Sequence, residues 1–115
     1  MDCGMNKHYL TTMPSDWDKI AHIFSALGDE TRQKILLLFE PGESIRRKSI
    51  SELLPLSQTA VAHHLTTLVR AGLLIPARHG KEICYTLDLE RLIDALERVR
   101  VYAADMLEKT EERPS

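Results

Sequence analysis

Apolar residues recur along most of this chain at the three- and four-residue spacing that lines one face of a helix, and late in the chain the period drops to two. Trp17, Ile20, Phe24 and Leu27 form the first stripe. Pro14 and Ser15 open that helix, Ser15 with Asp18 makes a capping-box-like pair, and Gly28 stops it. Asp29 or Thr31 can cap a second helix running to about Phe39. Its residues Ile35, Leu36, Leu38 and Phe39 are too apolar all round for a surface helix, so burial is expected. Pro41-Gly42 breaks it, and Glu43 to Lys48, charged and without apolar pattern, reads as an exposed loop. Ser49 and Glu52 have the Ser-x-x-Glu spacing of a capping box, which predicts a short third helix through Leu54, bounded by Pro55.

Ser57 to Leu73 carries start, core face and stop together. Ser57 is an N-cap candidate, Val61, Leu65 and Leu68 share one face, and Gly72 can take the left-handed conformation that ends a helix. Gln58, Thr59, Ala62, His63, Thr66 and Arg70 fall on the opposite face, which is small, polar and basic. After Gly72 the two-residue period predicts strands over Leu73 to Arg78 and Lys81 to Leu87, turning at His79-Gly80, with Ile83 and Tyr85 on one face and Cys84 and Thr86 on the other. Asp88 can cap a last helix in which Leu89, Leu92, Leu96, Val99, Ala103 and Met106 repeat with a period of 3.5, widened by Ile93 and Leu107. A short helix, a tight turn, a helix with a polar outer face and then a hairpin make a winged helix-turn-helix: mainly α, with a small β-hairpin, in the order ααααββα.

The 115 residues suffice for one domain, taken as residues 14–112 behind a flexible arm over 1–13. That domain includes the first and last helices as dimerisation elements. The final helix, about 36 Å long, exceeds what so small a domain can cover, so its stripe predicts a homodimer. Trp17, Ile20, Phe24, Leu92, Leu96, Val99 and Ala103 are the candidate dimerisation residues. The long-helix alternative is packing on its own core alone. No apolar run is long enough to span a bilayer and no signal peptide pattern opens the chain, so a cytoplasmic protein without a membrane partner is expected.

The net charge of −2 hides an asymmetry. Ser44 to Lys81 holds six basic residues against the single acid Glu52, a local charge of +5, so the remainder carries −7. A basic patch of this kind attracts phosphates while the acidic remainder limits nonspecific sticking. Double-stranded DNA is the expected partner. Gln58, Thr59 and His63 are the candidates for base edges, and Ser57, Thr66, Arg70, Arg78 and Lys81 complete the DNA-binding set. Arg46, Arg47 and Lys48 are weaker candidates, since a basic loop is often only solvated. His63 and His64 point about 100° apart on a helix, which leaves His64 as a half-buried packing residue with one nitrogen satisfied.

Cys3 and Cys84 are too far apart in sequence for a CxxC knuckle, and reduced thiols are the default. Cys84 reads as a small packed strand residue. A thiol sensor built on Cys3 and Cys84, or soft and borderline ligands gathered from Cys3, His8 and His22, are lesser alternatives. No cofactor, metal site or catalytic residue is expected: there is no Gly-rich phosphate loop, HExxH, GxSxG or paired carboxylate in a plausible cleft. A helical dimerisation module that binds another protein is the alternative function. It explains the last helix but neither the +5 segment nor the hairpin.

ALGDETRQKILLLF (Ala26 to Phe39), LSQTAVAHHLTTLVRAGLL (Leu56 to Leu74) and RHGKEICYTL (Arg78 to Leu87), in this order, resemble the ArsR/SmtB family of bacterial winged-helix repressors. The resemblance implies a homodimer joined by the first and last helices, a pseudo-palindromic operator, and repression relieved by an inducer. Two departures bear on that inducer. Metal sensors of the family place a cysteine pair on the third helix, whereas Ser49 to Leu56 holds no Cys, His or Asp. Others use Asp and His on the last helix, whereas Asp88 to Glu112 holds no His. The loop Ser44 to Lys48 is also longer and more basic than the family pattern.

Overall fold

The computed structural model describes residues 14–112, so the arm expected over residues 1–13 lies outside the described residues. The chain forms α1 (Ser15–Leu27), α2 (Glu30–Leu37), β1 (Ile45–Arg46), α3 (Arg47–Leu53), α4 (Gln58–Arg70), β2 (Leu74–His79), β3 (Glu82–Leu87) and α5 (Leu89–Glu112). This is the expected winged helix-turn-helix, mainly α, with one addition. The sheet has three antiparallel strands in the order β1-β3-β2, rather than a bare hairpin.

α1 starts after Pro14, which holds the N-cap position, so Ser15 is already inside the helix and the expected Ser15/Asp18 pair is not the starting device. The helix turns Ile20, Ile23 and Ala26 into the core. α2 is capped by Asp29, whose carboxylate accepts from the Arg32 N–H at 3.1 Å. It ends at Leu37 rather than Phe39, and it is not buried all round. Only Ile35 is fully enclosed, while Leu37 is 83% exposed, because α2 packs against α1 and α4 on one side alone.

Ile35, Ile50, Val61, Leu65, Leu68 and Leu74 are the largest fully enclosed side chains, and they fasten α2, α3, α4 and the wing to one another. Burying an aliphatic side chain of this size contributes about 1.5–3 kcal/mol. α4 therefore has a fixed inner face and a free outer one.

The stop at Gly72 is as the sequence implies. Its φ is 84°, Gly72 N–H donates to the Val69 carbonyl at 2.9 Å, and Leu73 N–H to the Leu68 carbonyl at 3.0 Å. These are the two bonds of a Schellman motif, and they aim β2 away from the helix axis. The hairpin pairs His79 with Glu82 across a two-residue turn, Gly80-Lys81, with Gly80 at φ 64°. Pro76 lies in β2, an edge strand, where its missing N–H interrupts no inner ladder.

α5 begins at an Asp88 cap, whose carboxylate accepts from the Arg91 N–H at 3.1 Å, and Asp88 N–H reaches the Leu73 carbonyl at 2.9 Å. Ala95 is its one fully buried residue, flanked by half-buried Leu92 and Val99. Every residue of α5 from Arg100 onward is exposed, and the described chain measures 61 × 28 × 24 Å. No helix among the described residues is long and apolar enough to cross a membrane.

Candidate nucleic-acid interface

The segment read as a loop over Glu43 to Lys48 is largely ordered. Ile45 pairs with Tyr85 and Arg46 with Cys84, and α3 starts directly afterwards at Arg47. The capping box at Ser49 and Glu52 is therefore not formed, because Ser49 is already inside the helix. Strand pairing holds Arg46 at φ −71° and ψ 145°, so Arg46 becomes the N-cap residue in place of Ser49. A two-residue strand is too short to leave a periodic signature, and the charged residues around it read as solvated.

α4 follows after a short turn. Its N-terminus is closed by Ser57, whose hydroxyl oxygen accepts from the Ala60 N–H at 3.1 Å. Val61, Leu65 and Leu68 are buried beneath it. Gln58, Thr59, His63, Thr66 and Arg70 are exposed, Ala62 is half-buried, and the helix contains no acid. Arg78 and Lys81 are exposed on the hairpin. All eight candidate DNA-binding residues thus reach solvent, although one acceptor lone pair of Ser57 is committed to the cap.

An open groove of about 880 Å³ runs between the start of α3, the start of α4 and the hairpin. It brings Gln58, Thr59 and Lys81 together with Arg46, Arg47 and Lys48, the three basic residues that looked weakest in sequence. His63, Thr66, Arg70 and Arg78 lie outside its lining. Two contacts shape the groove. Arg47 donates from Nε and Nη2 to the Tyr85 hydroxyl oxygen at 3.1 and 2.9 Å, which fastens α3 to the hairpin. Arg46 Nη1 pairs with Glu82 Oε1 at 3.2 Å. Sequence reasoning missed Tyr85 and Glu82 because the pairing that places them spans more than 35 residues of chain.

His64 behaves as expected, half-buried with one nitrogen partnered: its Nδ1 lies 3.3 Å from Arg32 Nη1. Cys84 is buried in the central strand between Arg46 and Ala77. Cys3 and His8 lie outside the described residues, and exposed His22 sits 3.7 Å from Asp18 on its own helix. Among the described residues no group of His, Cys, Asp and Glu is arranged to hold a metal ion. Of the candidate dimerisation residues, Ile20 lies in the chain's own core, Trp17, Leu92 and Val99 pack partly against it, and Phe24, Leu96 and Ala103 are exposed.

A convex helix with an acid-free polar face, a tight turn behind it and a basic hairpin beside it define a winged helix-turn-helix protein of the DNA-binding class. Comparison with known proteins places it further. A family described as "Helix-turn-helix domain" matches residues 27–76. A probable mercury resistance operon repressor of Streptomyces lividans is 35% identical over 88 residues, covering 76% of this chain and 70% of that protein. The transcriptional repressor SdpR of Bacillus subtilis is 33% identical over 75 residues, covering 65% and 82%. Among solved structures, an ArsR-like transcriptional regulator from Rhodococcus sp. RHA1 superposes with a TM-score of 0.77 at 28% identity, covering 85% of this chain and 92% of that one. The chain belongs to the ArsR/SmtB family of transcriptional regulators. Its work is DNA binding in the control of transcription, and the relatives it matches are named as repressors and regulators of transcription.

Proposed function

We propose that the chain is a homodimeric repressor that binds a pseudo-palindromic operator through α4 and the hairpin and leaves it when an inducer binds. The observation that carries this reading is the division of α4 into a buried face of Val61, Leu65 and Leu68 and an exposed, acid-free face of Gln58, Thr59, His63, Thr66 and Arg70. Gln58, Thr59 and His63 read base edges. Ser57, Thr66, Arg70, Arg78 and Lys81 engage phosphates, and Arg46 to Lys48 extend that charge along the groove. The exposed apolar stripe of α5 joins two copies, and a two-fold axis sets the two α4 helices into major grooves about 34 Å apart. The same role keeps the protein in the cytoplasm with its DNA.

The test is binding to duplexes from the protein's own promoter, followed by anisotropy across a salt series. Affinity falls steeply with salt as phosphate contacts release counterions, and an imperfect palindrome is preferred over random duplex. Flat salt dependence or no sequence preference sinks the reading in favour of a protein-binding module. His63→Ala lowers affinity and relaxes specificity with the fold intact. Release is tested by titrating zinc, copper(I), arsenite and polysulfide against the DNA complex of wild type, Cys3→Ser and Cys84→Ser.

A further inference from the structure

Arg32 gathers three separate elements with one side chain. Its Nε donates to the Ala26 carbonyl at 2.7 Å and its Nη2 to the Ser25 carbonyl at 3.1 Å, closing the C-terminus of α1. Its Nη1 faces His64 Nδ1 of α4 at 3.3 Å, and its backbone N–H binds the Asp29 cap of α2. A guanidinium offers donors and no acceptor, so this contact requires a lone pair on Nδ1 and places the ring proton of neutral His64 on Nε2. His64 sits one residue from His63, with ring centroids 6.0 Å apart. One side chain thus looks inward to a fixed anchor while its neighbour looks outward.

We infer that Arg32 is a positioning residue for sequence readout, which sets the rotation and depth of α4 by donating to His64 Nδ1 from the α1–α2 corner. The apolar contacts of Val61, Leu65 and Leu68 hold α4 to the core but are non-directional, and a helix can roll on such a face by a fraction of a residue. A hydrogen bond from a guanidinium that is itself held by two carbonyls removes that freedom. Base readout needs side chains placed to within hydrogen-bond tolerance, whereas phosphate attraction does not. The Arg32–His64 contact therefore supports discrimination between sequences more than total affinity. This inference rests on the reading of α4 as the element that meets DNA.

The experiment compares wild type, His64→Asn, His64→Leu and Arg32→Lys for affinity to operator and to random duplex, with thermal melts of each. Asn keeps an acceptor near the Nδ1 position and holds the operator-to-random ratio within about threefold of wild type. Leu fills the space without an acceptor and lowers that ratio by about tenfold or more, consistent with loss of well-formed base contacts, while random-duplex affinity and the melting temperature stay near wild type. Arg32→Lys keeps the charge but cannot serve two carbonyls and the imidazole together, and it follows the Leu variant. Nitrogen chemical shifts of the imidazoles in the free wild-type protein report His64 as the Nε2–H tautomer. The inference is overturned by equal ratios in the Asn and Leu variants, or by a Nδ1–H tautomer. If wild type binds no duplex at all, the α4 reading fails instead, and the tautomer alone decides whether Arg32 holds the ring.

Discussion

Trp17 and Tyr102 meet edge to face, with ring centroids 5.2 Å apart and planes at 79°, tying the start of α1 to the middle of α5. Arg98 reinforces the same seam by bonding Asp16 of α1 at 2.8 Å, while Asp94, one turn back on α5, accepts from the same guanidinium at 3.3 Å. Together with buried Ala95 these contacts define the side of α5 that serves its own domain. Leu96 follows Ala95 by one residue and so points about 100° away. Leu96 is 48% exposed and Ile93 64% exposed, with Leu89 and Leu107 also open on that side. The single stripe of the sequence is thus two adjoining faces, one used within the chain and one left over.

For the proposed homodimer, that division predicts which substitutions separate the two copies without unfolding them. Leu96→Glu gives a monomer in sedimentation while the melting transition persists, because Leu96 is absent from the enclosed core. Ala95→Glu instead places a charge at a buried site and unfolds the domain. A dimer that survives Leu96→Glu refutes α5 as the interface.

Glu82 and Glu52 are the two acids in a groove whose basic lining residues are Arg46, Arg47, Lys48 and Lys81. On the proposed reading of the groove as a DNA contact, the pairing of Glu82 with Arg46 at 3.2 Å occupies a guanidinium that would otherwise serve phosphate, and the charge of Glu82 itself opposes DNA. Both groups are about half exposed, so the pair is weak and exchangeable. Glu82→Gln should tighten binding to any duplex by several-fold at low salt and steepen the salt dependence by about one phosphate contact. Unchanged binding across the salt series places the groove outside the DNA contact.

The elements that were legible in the sequence are those whose signal is local. Ser57, Val61, Leu65, Leu68 and Gly72 specify α4 within a single stretch, and each does what its position implies. The misread elements depend on distant partners. β1 exists because Ile45 and Arg46 pair with Tyr85 and Cys84, and that pairing moved the start of α3 from the Ser49 cap to Arg47. α2 was expected to be buried all round, yet Leu37 is exposed, because apolar composition does not say how many sides of a short helix are covered. The role of Arg32 was hidden for the same reason, since its imidazole partner lies 32 residues away. Of the candidate interface, the exposed face of α4 could be read directly, whereas the groove that unites it with Arg46 to Lys48 required the sheet.

The two ends of α4 should respond differently to substitution. Ser57→Ala removes the acceptor for the Ala60 N–H and costs about 1 kcal/mol. Gly72→Ala forces a side chain onto a residue at φ 84°, at roughly 1–2 kcal/mol. The new methyl group also meets the Arg91 side chain, which must move aside. Equilibrium denaturation measures both, and a neutral Gly72→Ala contradicts the left-handed stop.

Asp29 carries the pH dependence that can be assigned a sign. The Arg32 N–H bonded to its carboxylate holds it below the usual aspartate value of 3.8; partial burial opposes this, and the charge of Arg32 assists. A carboxyl whose folded value is depressed binds protons more readily in the unfolded chain, so acid favours unfolding. The resulting stability is fully present above about pH 3.8 and is lost as the pH falls through the lowered folded value. Asp29→Ala should therefore melt below wild type at pH 7, with the gap narrowing once the pH drops beneath 3.8. The neutral carboxyl still has an oxygen that can accept from Arg32 N–H, so the gap narrows without closing. Thermal melts of the two proteins from pH 7 down to pH 3 decide the matter: a gap that is constant across that range means the cap works without its charge.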